Sequence, residues 1–170
     1  MTLDRGSIVI RPLAGDDNRA SFVCGKEPLD RYFREQATQD VRRGIASVFV
    51  AVAPPEPARV LGFFTLSAAT VAPIDLPSEV ARRLPRHPVP AALIGRLAVD
   101  RSFARRGLGD IMLADAIAKA RMASETIAIA VIVVDPIDEA ARDFYLAFGF
   151  RSLNGPQRRL FLVPPRRQPA

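Results

Sequence analysis

The run Ile127-Ala128-Ile129-Ala130-Val131-Ile132-Val133-Val134 is apolar at every position. A strand without a polar face needs cover on both sides, as an inner strand of a helix-flanked sheet has. The next residues read as a helix from Pro136 to about Ala147. Asp135 suits the N-cap, Pro136 the first helical position, and Asp138 and Glu139 the first turn. Ile137, Ala140, Ala141, Phe144 and Phe148 recur at helical spacing as its buried stripe, and Gly149 supplies the stop.

Upstream, Ser7–Arg11 reads as a short strand and Pro28–Val41 as a helix, with Leu29, Tyr32, Phe33, Ala37 and Val41 on one face and Gly44 after it. Ala46–Ala53 and Arg59–Val71 read as a hairpin across Pro54-Pro55-Glu56-Pro57. Ser78–Leu84 suits a short helix ended by the proline-dense Pro85–Pro90. Ala92–Asp100 is an apolar strand, Gly107–Arg121 a helix rich in small residues, and Arg159–Val163 a last strand. The chain has no internal repeat or linker. The expectation is one α/β (α+β) domain over residues 1–165, a mixed sheet of about six to seven strands flanked by helices, with a loose tail at 166–170.

A chain of 170 residues buries a substantial core without metals or disulfides. The single cysteine, Cys24, excludes an intramolecular disulfide and a Cys-rich zinc site, and suits a reducing cytoplasm. The start lacks the apolar run of a signal peptide, and no stretch approaches roughly 18 uninterrupted apolar residues. The expectation is a cytoplasmic protein without membrane association. The net charge is +6, and nearly all of the basic residues are arginine. Such a balance favours polyanionic partners such as RNA or an anionic cofactor, but a GC-rich genome produces the same bias without function. Charge alone leaves both readings open.

Arg105-Arg106-Gly107-Leu108-Gly109-Asp110 follows a strand and opens a helix. Glycine lets the backbone approach an anion, free N–H groups of a first helical turn point at it, and two arginines add charged donors. The dinucleotide fingerprint would need a third glycine and a later acidic residue. A P-loop would need Gly-Lys-Ser/Thr, which is missing too.

The order strand (Leu97-Ala98-Val99-Asp100), Gly-x-Gly turn and helix, strand (Val131–Val134), then a helix ending Phe144-Tyr145-Leu146-Ala147-Phe148-Gly149-Phe150 resembles the GNAT superfamily of N-acetyltransferases. One departure is Ala104, where that family usually has Gln or Arg. Cys24-Gly25 with Leu29-Asp30, Leu61–Ser67, Pro88–Ala91 and Gly95–Asp100 resemble more narrowly the GNAT toxins of type II toxin–antitoxin systems. The resemblance implies a sheet splayed at the coenzyme A site and acetyl-CoA as acyl donor. It also implies acetylation of the α-amine of aminoacyl-tRNA, a ribbon-helix-helix antitoxin, and a homodimer. It places coenzyme contacts at Leu97, Ala98, Val99, Arg105, Arg106, Gly107, Leu108, Gly109, Asp110, Asp138 and Phe144. Carbonyl polarisation falls to the N–H of Val99, and proton donation to sulfur falls to Tyr145.

No glutamate lies between Glu79 and Glu125, so a Glu base on the strand or turn is absent, leaving Asp100 and Asp110 as alternatives that also suit caps. A lysine amine is only about 0.04% neutral at pH 7, whereas an α-amine is roughly 10–15% neutral and scarcely needs a base. Arg82, Arg83, Arg86 and Arg96 form a candidate phosphate-gripping patch, with His87, the sole histidine, beside it. Cys24 reads as a small buried side chain. The competing readings are a GNAT enzyme for a small amine or protein N-terminus, a non-enzymatic coenzyme A-binding regulator, and an RNA-binding module with a vestigial turn.

Overall fold

The computed structural model describes residues 5–165. Its strands are β1 (Val9–Pro12), β2 (Ser47–Val52), β3 (Gly62–Val71), β4 (Val89–Val99), β5 (Val131–Val134), β6 (Arg151–Ser152) and β7 (Leu160–Leu162). Its helices are α1 (Glu27–Glu35), α2 (Ala37–Arg42), α3 (Ser78–Ala81), α4 (Leu108–Ala123) and α5 (Glu139–Phe148). The strands form one mixed, open sheet in the order β1-β2-β3-β4-β5-β7-β6. The β1–β2, β2–β3, β5–β7 and β6–β7 pairs are antiparallel and β4–β5 is parallel. The chain divides into two compact units: residues up to Ser67 with Gly95–Ala116, and Ala68–Ile94 with the chain from Ile117.

The core of the first unit is aromatic. Phe33 stacks on Phe63 at 4.4 Å between ring centroids, and Phe22 meets both edge-on at 5.1 and 5.4 Å. Leu29, Tyr32 and Phe33 supply the buried face of α1. The helix read over Pro28–Val41 is broken at Gln36, whose φ of −114° ends α1 before α2 restarts at Ala37. No glycine or proline marks that break in the sequence. It leaves Val41 exposed and lets Asp40 accept the Tyr32 hydroxyl at 2.9 Å. Gly62, at the start of β3, is fixed by close packing: a Cβ there would stand 2.7 Å from Met112 Sδ and 3.0 Å from the Ala98 carbonyl oxygen.

In the second unit β4 pairs with β5 from Ala91↔Val131 to Ile94↔Val134. Val131–Val134 are all buried, as the apolar pattern demands. The strand read over Ile127–Val134 is nevertheless half that length. The Ile127 N–H donates to the Ala123 carbonyl in the last turn of α4, which leaves Ile127 exposed. Asp135 is not the cap of the final helix. It pairs with Arg159 through two hydrogen bonds of 2.8 and 2.9 Å, and Asp138 caps α5 by accepting from the Ala141 N–H at 2.8 Å. The buried position of α5 is Tyr145, while Ile137, Ala140 and Phe148 are exposed. Gly149 does end the helix, in the left-handed region at φ 114°. Strand β6 carries no signal in its two polar residues, and β4 starts early, at Val89. The tail at 166–170 lies outside the described residues. Among the described residues no helix is long and apolar enough to cross a membrane.

Candidate functional site

The last turns of β4 present backbone donors to an unpaired side. The ladder with β5 stops at Ile94 while β4 runs on to Val99. The Pro90 carbonyl accepts from the Ala130 N–H, on the β5 side. The N–H groups of Arg96 and Asp100 instead go to Thr65 Oγ1 and the Leu61 carbonyl, on the β3 side. By strand alternation the N–H groups of Leu97 and Val99, between these two, face away from β3. Ala98 is buried in the aromatic core and anchors this segment.

Asp100 locks the exit from the strand. Its carboxylate accepts from the Val23 N–H at 3.1 Å and from the N–H and hydroxyl of Ser102. Burial alone would push this carboxyl up. The Ser102 and Val23 hydrogen bonds and the Arg59 charge more than offset that and hold it below its ordinary value. An ionised carboxylate with these donors is a cap, which removes Asp100 as a candidate base.

Beyond it, a short 3₁₀ turn (Arg101–Phe103) leads to two residues with positive φ, Arg105 at 64° and Gly107 at 85°. A left-handed conformation is unfavourable for arginine, and such strain clusters where a backbone is shaped for a ligand. The turn delivers the chain into α4 with Leu108 buried and Arg105, Arg106, Gly107 and Asp110 exposed. The Arg106 guanidinium lies 5.1 Å from the Phe103 ring centroid, and among the described residues neither Arg105 nor Arg106 meets a carboxylate. First-turn N–H groups, which have no partner within the helix, stand at the head of a 16-residue helix beside exposed arginines and suit a di-anionic ligand.

The second unit holds Asp138, Phe144 and Tyr145. The Tyr145 ring is buried, edge-on to Phe144 at 5.3 Å and Phe150 at 5.7 Å. Among the described residues no sealed side-chain polar atom lacks a partner, yet the Tyr145 hydroxyl meets none, so it opens to solvent. Burial first, and then the Asp135 charge, raise its pKa above the ordinary phenol value. The other tyrosine is the opposite case, since the hydroxyl of Tyr32 is committed to Asp40.

Of the four arginines read from the sequence as a patch, three belong to the second unit and Arg96 to the first. Arg82, Arg83, Arg86 and His87 are exposed around α3, where Arg82 Nε donates to the Ser78 carbonyl and His87 Nδ1 lies 3.3 Å from the Pro88 carbonyl. Arg96 is half-buried in the other unit, its Cζ 3.6 Å from the Tyr32 ring centroid. The Cys24 thiol is pushed up to about 11 by burial and by its contact with Asp30. It is not an activated nucleophile. Sequence reasoning missed the Tyr32–Asp40 pair, which forms across the break between two consecutive helices, and Thr65 and Arg59 against Phe103 at 5.2 Å, whose partners are distant in the chain.

Residues 16–150 match the family model described as the Acetyltransferase (GNAT) family. A tRNA-acetylating toxin of Mycobacterium tuberculosis (strain ATCC 25618 / H37Rv) is 38% identical over 140 residues, 82% of either chain. The structure of AtaT complexed with acetyl-methionyl-tRNAfMet is similar with a TM-score of 0.86 and 28% identity, over 92% of this chain and 94% of that one. A tyrosine-to-phenylalanine variant of the AtaT toxin, bound to the C-terminus of the antitoxin AtaR and acetyl-CoA, gives a TM-score of 0.79 and 25% identity over 93% and 94%.

Proposed function

The chain belongs to the GNAT acetyltransferase family, and from that premise we propose that it is an acetyl-CoA-dependent toxin that acetylates the α-amine of aminoacyl-tRNA and thereby blocks translation. Residues 1–165 act as its catalytic domain. It works in the cytoplasm as a homodimer and is restrained by a ribbon-helix-helix antitoxin; the similar AtaT toxin is bound to the C-terminus of its antitoxin, which supports restraint by an antitoxin. The observation that carries the reading is the strained, arginine-flanked turn at the head of α4.

Acetyl-CoA supplies the acetyl group as an activated thioester. The turn from Arg105 to Asp110 holds its pyrophosphate through backbone N–H groups and the two guanidinium groups. The N–H of Val99 donates to the carbonyl oxygen as negative charge grows there, with Leu97 and Ala98 setting its direction. Phe144 shields the thiol end, and Asp138 acts through the helix that it caps. Tyr145, kept protonated by burial and by Asp135, gives its proton to the departing sulfur and recovers one from the acetylated nitrogen. One amine proton thus ends on the thiol. A phenol is a weaker acid than a thiol, so this transfer has to be coupled to loss of the amine proton. An α-amine that is roughly 10–15% neutral at pH 7 supplies that coupling without a dedicated base.

The test is transfer of labelled acetyl groups from acetyl-CoA to purified aminoacyl-tRNA, followed by release of the N-acetyl amino acid on ester hydrolysis. Transfer to small amines with none to any aminoacyl-tRNA would reject the tRNA reading and leave a small-molecule acetyltransferase.

A further inference from the structure

Arg96 is held more firmly than a surface arginine, and among the described residues no acid holds it. Its N–H donates to the hydroxyl of the buried Thr65 at 3.1 Å, which fixes the backbone at this point of β4. Its guanidinium lies on the Tyr32 ring, Cζ 3.6 Å from the centroid. That ring cannot swing away, because Tyr32 is buried, stacks on Phe63 at 6.3 Å and donates its hydroxyl to Asp40. Asp40 is thereby committed to the phenol. Among the described residues the guanidinium meets no carboxylate at all.

Stacking on an aromatic face fixes the plane of a guanidinium but uses none of its five N–H donors, which lie along its edge. A planar donor edge fixed in advance fits a tetrahedral oxyanion through two parallel hydrogen bonds. Its place in the chain is informative too. Arg96 directly precedes Leu97–Val99, and it shares a strand face with Ala98, the face that packs on α1. We propose that Arg96 is a preformed receptor for one backbone phosphate at the single-stranded 3′ end of the acceptor tRNA, seating the aminoacyl ester beside β4. This rests on the aminoacyl-tRNA reading. It separates Arg96 from Arg82, Arg83 and Arg86, which are exposed and lack such a platform.

The experiment compares the parent protein with Arg96→Ala and Arg96→Lys on three acceptors: an aminoacyl-tRNA, the methyl ester of the same amino acid, and an acidic peptide with a free N-terminus. Acetyl-CoA binding by calorimetry and thermal unfolding accompany them. With Arg96→Ala, KM for aminoacyl-tRNA rises about 10- to 100-fold, as expected for a lost charge-assisted contact. The fall of log(kcat/KM) with log salt becomes shallower by about 0.7, the share of one single-strand phosphate. The loss stays confined to the tRNA substrate: kcat, ester acetylation and acetyl-CoA affinity move less than threefold. Arg96→Lys keeps the salt slope but not the two-bond geometry, so its KM falls between the two. An unchanged KM for aminoacyl-tRNA in an active parent overturns the proposal. So does an equal loss on the methyl ester, a loss of acetyl-CoA affinity, or a loss confined to the peptide, which would assign the guanidinium to a carboxylate. A parent inactive on every aminoacyl-tRNA rejects the underlying function, and this inference with it.

Discussion

Tyr145→Phe removes an oxygen that supports nothing in the fold. The ring packs on Phe144 and Phe150, and those contacts survive the substitution. The hydroxyl has no partner among the described residues, so its loss should change folding stability by less than about 0.5 kcal/mol. Loss of a general acid costs about 10²–10⁴-fold in rate, or roughly 3–5 kcal/mol of barrier. Tyr32→Phe supplies the contrast. That hydroxyl donates to the Asp40 carboxylate at 2.9 Å, a contact to a charged group worth about 1.5–3 kcal/mol. In a chain of this size the corresponding drop in Tm is about 3–12 °C. One deletion is therefore read in rate, the other in stability. The assay is single-turnover acetylation at saturating acetyl-CoA, with thermal unfolding of both variants alongside. If Tyr145→Phe stays within about threefold of the parent rate, the hydroxyl is not the acid. If it unfolds several degrees early, its oxygen has a structural role that the geometry does not contain.

Acetyl-CoA at about 100 times its Kd should stabilise the protein by about 2.7 kcal/mol, raising Tm by roughly 5–11 °C; no shift at millimolar concentration would refute the pyrophosphate turn. Gly107→Ala meets no atom within 4 Å but forces a side chain to φ 85°, so a loss of about 1–2 kcal/mol with weakened acetyl-CoA binding is expected in paired melting and calorimetry. Since burial and Asp135 raise the Tyr145 pKa, its phenol stays protonated beyond the ordinary value. The rate on a small α-amine should therefore climb as the amine deprotonates near pH 8 and hold to about pH 10, and an earlier fall would contradict that acid. Burial pushes the Asp17 carboxyl up, but hydrogen bonds from Arg11 and the Ala14 N–H, with the Arg11 charge, bring it net below its ordinary value. A lowered folded-state pKa gives stability that is present at neutral pH and lost as pH falls through it, so Asp17→Asn should flatten the acid limb of a denaturation profile.

The parts of the fold that the sequence disclosed are those written in consecutive residues. The apolar run at Val131–Val134, the glycine turn at Gly107 and the stop at Gly149 each encode a local backbone requirement, and each sits where its residues demand. The errors fall where a side chain had two suitors. Asp135 has the chemistry of an N-cap, but Arg159 offers it a charged, two-bond contact, and Asp138 is equally able to cap. The helix starts later, and separately its buried position is Tyr145 and not the stripe through Phe144 and Phe148. Gln36 breaks α1 from α2 without a breaker residue, and the break accompanies a Tyr32–Asp40 contact that helical spacing does not signal.

Charge was the least legible feature, for a physical reason. A guanidinium reaches several ångströms from its Cα, so chain proximity says little about which arginines work together. Arg82, Arg83, Arg86 and Arg96 look like one patch when counted along the chain, yet one of them lies on Tyr32 while the others face solvent. What distinguishes Arg96 is what surrounds it: a fixed aromatic face, a pinned N–H and no acid. An arginine that only adds solubility tolerates lysine, whereas one whose plane is set by stacking does not. Replacing all four by lysine therefore preserves the net charge and the long-range field that attracts a polyanion, but it alters the oriented donor edge at position 96 alone. A four-lysine variant should match the parent in the salt dependence of kcat/KM and match Arg96→Lys in KM. A KM well above that of the single variant would mean that the α3 arginines also make oriented phosphate contacts.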